Sequence, residues 1–363
     1  MLPYYVMVLM PLTLSINAKK GRLGIQGNIR DKVSVYTIGS FFLVYFILLS
    51  LRDVSCGVDL KNYRYYFDND IRTELSAIPQ IYTIEVGFHV LNKLLSYISN
   101  DFQIYLTIIA LICILPISIL YYYESELPFL SIVFFITIFP FSMLFSGLRQ
   151  SIALSFVPLA FFFVKKRKLV PYIVTVLFAV LFHQSALMLF LLYPVFRAKI
   201  TKNWLYVVVP VMAIILLFNS RIYSVIVPLL GTRYYERYGV MTSTGAYTTI
   251  LLLFALSLYS MVLPNSEKMD ESAIGFRNLL FLSTCLQCFA PVNPMAMRMN
   301  YYYLLLVPIA ITKVITNCKD KQKNIAFISY FVFIAVFLAY FYYSANYGAD
   351  VLQIYPYVPF WKQ

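Results

Sequence analysis

The stretch VSVYTIGSFFLVYFILLSL, residues 33–51, carries no charge, and Arg52-Asp53 follows it at once. A helix apolar on every face does not suit the surface of a soluble domain, and about 20 such residues match the thickness of a bilayer's hydrocarbon. IAFISYFVFIAVFLAYFYY at 325–343 repeats the pattern. Of 363 residues, 61% are hydrophobic and 12% charged, against roughly 45–50% and 25% in soluble domains. Outer-membrane barrel strands alternate apolar and polar residues, so these stretches exclude a barrel. The fold expected is all-α, one polytopic membrane domain over residues 1–363 with about 12 transmembrane helices.

The spans fall near 1–16, 33–51, 103–122, 127–145, 149–164, 169–183, 185–196, 203–218, 246–263, 274–290, 299–316 and 325–343, with about two to four residues of freedom at each end. Residues 1–16 lack a basic leader and a cleavage site, so they read as a retained span. Basic residues gather at 19–32, at Lys165-Lys166-Arg167-Lys168, at Arg197, Lys199 and Lys202, and at 313–323. Short basic loops belong in the cytoplasm. Placing all four there requires that 81–98, which is amphipathic, lie on or dip into the outer face without crossing. Residues 52–102 then form an outer-face segment, 219–245 a periplasmic loop, and both termini face outward. Of the 29 Lys and Arg, 18 fall inside and 11 outside; the outer set is Arg-rich (Arg52, Arg64, Arg72, Arg149, Arg221, Arg233, Arg237 and Arg298, with Lys61, Lys93 and Lys362). Lysine suffices for orientation, whereas arginine offers a planar fork matched to phosphate oxygens. Snorkelling to headgroups is the plain alternative.

Four segments could carry chemistry. Arg52-Asp53 is followed by Gly57 and Asp59, and after a gap by Glu85-Val86-Gly87-Phe88. Carboxylates beside glycine suit a loop folded around a polar ligand, or structural ion pairs. At Gly147-Leu148-Arg149-Gln150 an Arg-Gln pair opens a helix, where a guanidinium joins the free N–H groups of a helix start as an anion site. Phe182-His183-Gln184-Ser185-Ala186 offers His183 as a general base or hydrogen-bond donor, against the bland reading of a core histidine. Pro291 to Arg298 is a proline-broken outer turn delivering a second arginine to the start of a span. Arg149 and Arg298 are expected to converge on one ligand. Cys285 and Cys288 form a lone CxxC within an apolar run, so neither zinc nor a disulfide is expected. The chain has no P-loop, GxGxxG, GxSxG or HExxH, so ATP hydrolysis, nicotinamide chemistry, elbow-serine hydrolysis and zinc proteolysis lack their signatures. Anything transferred outside the cytoplasm must arrive activated, and a lipid-linked pyrophosphate meets that need.

In this order, Arg52-Asp53 with Gly57 and Asp59, Glu85-Val86-Gly87-Phe88, Leu148-Arg149-Gln150-Ser151-Ile152-Ala153 with the basic turn after it, Phe182-His183-Gln184-Ser185-Ala186, and Arg298 ahead of Tyr301-Tyr302-Tyr303 resemble the EpsG family of Wzy-type bacterial polysaccharide polymerases. The likeness runs from about residue 33 to the C-terminus, where this chain adds a tyrosine-rich run. The resemblance implies an inner-membrane glycosyltransferase of the O-antigen, capsule or exopolysaccharide pathway with a glycosyltransferase-C-like architecture. It would transfer a growing glycan from undecaprenyl pyrophosphate to a lipid-linked repeat unit at the periplasmic face. No cofactor or metal is implied. The lipid-linked oligosaccharide, the bilayer, and a chain-length regulator and flippase of the same pathway are the implied partners; nucleic acid is not. The expected catalytic residues are Arg149 and Arg298 on the pyrophosphate, His183 and then Asp59 on the acceptor. Arg52, Asp53, Glu85, Gln150, Arg233 and Arg237 are expected to bind substrate, with Gln150 orienting Arg149. An O-antigen ligase and a flippase of lipid-linked oligosaccharide remain the alternatives.

Overall fold

The computed structural model describes residues 1–19, 29–200, 202–229, 245–263, 269–291, 294–318 and 322–362. It is 80% helical, and among the described residues there is no strand, Arg52 and Pro359 forming an isolated bridge. The chain separates into two compact units, Met1–Leu189 with Phe331–Gln363, and Phe190–Tyr330.

In the first unit, α1 (Leu2–Lys19) and α2 (Ile29–Leu51) pack together, and α2 also packs against the 23-residue helix α6 (Phe102–Glu124). Between them lie α3 (Leu60–Arg72), the single turn α4 (Ile78–Ile81) and α5 (Val86–Ser96). Asp101 starts α6 by accepting from the N–H groups of Gln103 and Ile104 at 2.7 and 2.9 Å, which satisfies two donors that a helix start otherwise leaves open. Then come α7 (Pro128–Thr137), α8 (Phe139–Ser146), α9 (Leu148–Ser155), α10 (Val157–Lys165) and α11 (Leu169–Val180). Proline sets the breaks: Pro140 and Pro158 each stand in the first turn of a restarted helix, where the missing N–H costs nothing and the ring stops the previous helix. The α7–α8 break bends by 62°, whereas α9 and α10 still run as one apolar span, Leu148–Lys165. An aromatic core of Phe41, Phe42, Tyr45, Phe135, Phe141 and Phe145 fills the space between α2 and this region.

A 3-10 segment (Gln184–Leu191) crosses into the second unit, which holds α12 (Leu192–Arg197), α13 (Leu205–Leu229), α14 (Gly245–Val262), α15 (Glu271–Gln287), α16 (Pro294–Leu304), α17 (Val307–Thr316) and the start of α18 (Lys323–Tyr347), whose residues from Phe331 on belong to the first unit. Apolar side chains gain little by leaving lipid for one another, so polar groups join helices here. Asn278 donates to the carbonyls of Val195 and Ala198 at 3.1 and 2.7 Å. Asn300 donates to Gln287 Oε1 and the Ser283 carbonyl, both at 2.9 Å.

Twelve apolar segments are legible in the sequence, but fewer helices are long enough to cross. Five described helices have the length and composition of spans, or seven if the α7–α8 and α16–α17 pairs each cross once. Leu169–Val180, Gln184–Arg197 and Tyr247–Val262 are apolar but short. The end expected for one span at residue 218 is a kink at Phe218, after which α13 continues to Leu229; the rest of the loop expected over 219–245 lies outside the described residues.

The tyrosine-rich C-terminus folds back onto the loop after α2. Phe360 N–H donates to the Leu51 carbonyl, Asp53 N–H to Val358 and Val58 N–H to Leu352, at 2.9, 2.9 and 3.0 Å. Tyr357 Oη reaches the Leu48 carbonyl at 3.0 Å, and Tyr4 Oη donates to the Ile354 carbonyl. Main-chain groups of the 51–58 loop that no helix serves are thereby paired.

Candidate active site at the Arg149 helix start

The chain stops α8 at Ser146, turns at Gly147 and restarts as α9, which puts Arg149 in the first turn of the span that ends at Lys165. Lys165 pairs with Glu124 at 2.5 Å at that other end. Leu148–Lys165 has the length and composition of a span, and Arg149 stands at the end opposite the Lys165–Lys168 turn. Its Nη1 donates to Glu85 Oε2 at 2.6 Å. The guanidinium carbon lies 5.8 Å from the Tyr63 ring centre, 5.7 Å from Tyr66 and 6.0 Å from Phe88. Three aromatic faces and one carboxylate hold a cation that keeps 27% of its side chain open.

Glu85 precedes α5 with φ of +55°, a left-handed conformation that costs a non-glycine residue about 1–3 kcal/mol and recurs at functional sites. Its Oε1 accepts from Gln184 N–H at 3.4 Å and lies 3.8 Å from His183 Nδ1. The carboxylate therefore joins the α5 start, Arg149 and the turn after α11. Gly87 permits that approach: its N–H donates to the Leu181 carbonyl at 3.0 Å, and a Cβ there would meet Leu181 Cβ at 2.9 Å. His183 Nδ1 accepts from Ser185 N–H at 3.2 Å and lies 2.9 Å from Ser185 Oγ. Gln150 is buried and donates to Ser185 Oγ at 3.4 Å, so it supports the His183 turn where the sequence suggested a role in orienting Arg149.

Asp59 flanks α3 beside the helix junction: its N–H donates to Ser146 Oγ at 3.2 Å, and Ser146 Oγ lies 3.3 Å from Asp59 Oδ2. Arg52 and Asp53 serve their own loop. Arg52 is 2% exposed, donates to the Leu49 carbonyl and packs 5.9 Å from the Phe145 ring; burial pushes its guanidinium pKa down from the ordinary value. Asp53 Oδ1 accepts from the Ser55 N–H and hydroxyl at 2.9 and 2.6 Å, an Asx turn. Arg298 belongs to the second unit, half-buried on α16. Arg233 and Arg237 lie outside the described residues.

Sequence reading set His89 only on the polar side of the amphipathic 81–98 segment, and passed over Asp70 and Tyr82. The amphipathic segment at 81–98 is helical over Val86–Ser96, but its polar stripe does not face solvent: Phe88, His89, Asn92 and Leu95 are buried, while Leu94 and Ile98 are exposed. Asp70 of α3 is wholly buried and needs donors; His89 and Asn92 supply them. Burial, and then the Asp70 carboxylate, hold the Tyr82 phenol above its ordinary pKa. His89 and Asn92, three apart on one stripe of α5, were the available signal.

Two apolar grooves run along α11 from this site. One of about 510 Å³ is lined by Phe156, Leu159, Phe163, Val174 and Phe178 among others, and one of about 210 Å³ by Val174, Leu177, Phe178 and Leu181.

Helices long enough to span a bilayer define a polytopic membrane protein, and a caged arginine stands at one end of one candidate span. The sequence profile of the EpsG family matches residues 35–358, and the chain belongs to that family. No curated protein and no solved structure matches it.

Proposed function

We propose that this protein is a polysaccharide polymerase of the bacterial inner membrane. It moves a growing glycan from undecaprenyl pyrophosphate to the terminal sugar of a lipid-linked repeat unit on the periplasmic side. The observation that carries this reading is Arg149, opposite the lysine-rich turn and caged by Glu85, Tyr63, Tyr66 and Phe88. Membership of the EpsG family supports it. The positive-inside rule puts Lys165–Lys168 in the cytoplasm and Arg149 outside. In the proposed architecture, glycosyltransferase-C-like, the twelve apolar segments cross and both termini lie outside.

The acceptor hydroxyl attacks the anomeric carbon, and the carbon–oxygen bond to the lipid pyrophosphate breaks. Negative charge grows on the departing phosphate, where a fixed guanidinium lowers the barrier; one such donor is typically worth about 3–4 kcal/mol. Tyr66, partly exposed beside Arg149, can stack on a sugar ring. The α11 grooves fit the polyprenyl chain. Asp59 is proposed to bind the acceptor sugar.

Cells lacking the gene, complemented by wild type or by Arg149→Lys, give the test. Lysine keeps the charge and loses the planar fork. The expected outcome is short or absent glycan ladders with Arg149→Lys, while the single-repeat glycolipid still reaches the surface. Failure of any repeat to reach the surface would make transport the better reading, and normal ladders would refute the role of the fork.

A further inference from the structure

The Asp70 cluster and Arg149 share Tyr66 as a neighbour. His89 Nδ1 lies 2.9 and 3.1 Å from the two Asp70 carboxylate oxygens. Asn92 Nδ2 donates to Asp70 Oδ2, and Tyr105 Oη donates to Asn92 Oδ1, both at 2.8 Å. A carboxylate receiving donors on both oxygens can only accept, so His89 carries its proton on Nδ1. In its neutral form the ring then presents a lone pair at Nε2, which has no hydrogen-bond partner among the described residues, and the side chain keeps 5% of its surface open. Tyr82 stacks flat on the ring at 3.5 Å with 1° between planes.

His183 has the opposite tautomer. A backbone N–H can only donate, so the Ser185 N–H fixes Nδ1 of His183 as an acceptor, and the neutral ring holds its proton on Nε2. The site thus has one histidine set to donate and one set to accept. The accepting one is within reach of Arg149's surroundings: Tyr66 touches both, 5.7 Å from the His89 ring and 5.7 Å from the Arg149 guanidinium carbon. Glu85, the partner of Arg149, precedes His89 by one helical turn along the chain.

We propose that His89, oriented by Asp70, is the general base that takes the proton from the acceptor hydroxyl, and that His183 serves as a hydrogen-bond donor. The assignment rests on the polymerase reading above. The hydroxyl proton passes to His89 Nε2 as the oxygen's electron pair forms the new bond to the anomeric carbon. The old carbon–oxygen pair leaves with the lipid pyrophosphate, its charge met by Arg149. Asp70 stabilises the imidazolium until its proton returns to water.

The experiment uses the full chain in proteoliposomes and, as probe, the lipid-linked repeat unit extracted from cells lacking the gene. His89→Asn puts an amide nitrogen where Nδ1 stood and keeps a donor for Asp70, but leaves nothing at Nε2. His89→Gln puts its amide nearer Nε2 and leaves Asp70 short of a donor. Positioned general bases contribute about 100-fold or more. Both variants are expected to lose elongation by that factor, while the Asn variant keeps wild-type thermal stability and binds the probe within a few-fold of wild type. Elongation by His89→Asn within threefold of wild type would reduce the dyad to a tie between α3 and α5 and overturn the assignment. Should the Asn variant not fold, His89→Ala with added imidazole decides: recovered elongation supports the base, and none refutes it. A wild-type protein that does not elongate the probe would refute the polymerase reading itself.

Discussion

Replacing Glu85 by Gln separates holding Arg149 from doing chemistry. Both Glu85 oxygens accept, one from Arg149 at 2.6 Å and one from Gln184 N–H at 3.4 Å. A glutamine has one acceptor oxygen, so its NH2 group must turn toward one of those two donors. The shorter bond keeps the oxygen, and it changes from charge-assisted to neutral on the acceptor side. Hydrogen bonds to charged groups contribute about 1.5–3 kcal/mol and neutral ones about 0.5–1.5. The pair is partly open to water, with the Arg149 side chain 27% exposed, so the net cost is about 1 kcal/mol. That corresponds to roughly a fivefold lower rate if the weakening is felt wholly at the reacting phosphate. Initial elongation rates of Glu85→Gln in proteoliposomes measure it. A loss of about 100-fold would mean that the carboxylate itself takes part in the chemistry, and an unchanged rate would mean that the pair does not position Arg149.

Gly57 has φ of +137°, and a Cβ there would lie 2.6 Å from the Phe145 carbonyl oxygen, one residue before Ser146. Gly57→Ala is therefore expected to lower stability by about 2 kcal/mol or more and to reduce elongation. Gly39→Ala, where nothing lies within 4 Å of the added carbon, is expected to be neutral or slightly stabilising by the same thermal-unfolding assay. Removing residues 351–363 deletes the hydrogen bonds from Leu352, Val358 and Phe360 to the 51–58 loop. Faster amide exchange confined to that loop is expected, and unchanged exchange would refute the role of the tail as its clamp.

The membrane fold was legible because uniform hydrophobicity needs no tertiary information, and Pro140, Pro158 and Pro308 mark breaks through their missing N–H groups. Span number was less so: hydropathy finds apolar segments, while helix length depends on where turns form. Arg149, Glu85 and His183 were singled out from sequence and do meet. Arg52 and Asp53 were chosen on the same grounds, yet both are absorbed by their own loop. Charge and glycine content look alike in a ligand loop and a structural one. Asp70, His89 and Asn92 were missed for the converse reason: an alternating stripe resembles a solvated face until the buried carboxylate opposite is known. The tyrosine-rich tail found its role only through main-chain pairing with residues 51–58, which side-chain pattern does not encode.

The central claim is that the Arg149 guanidinium receives the diphosphate of a lipid-linked donor. Native mass spectrometry of the purified protein with undecaprenyl pyrophosphate, comparing wild type with Arg149→Lys and Arg149→Ala, tests it most directly. The account predicts binding by wild type, weakening by about tenfold or more with lysine, and further loss with alanine. Equal binding by all three proteins would contradict it.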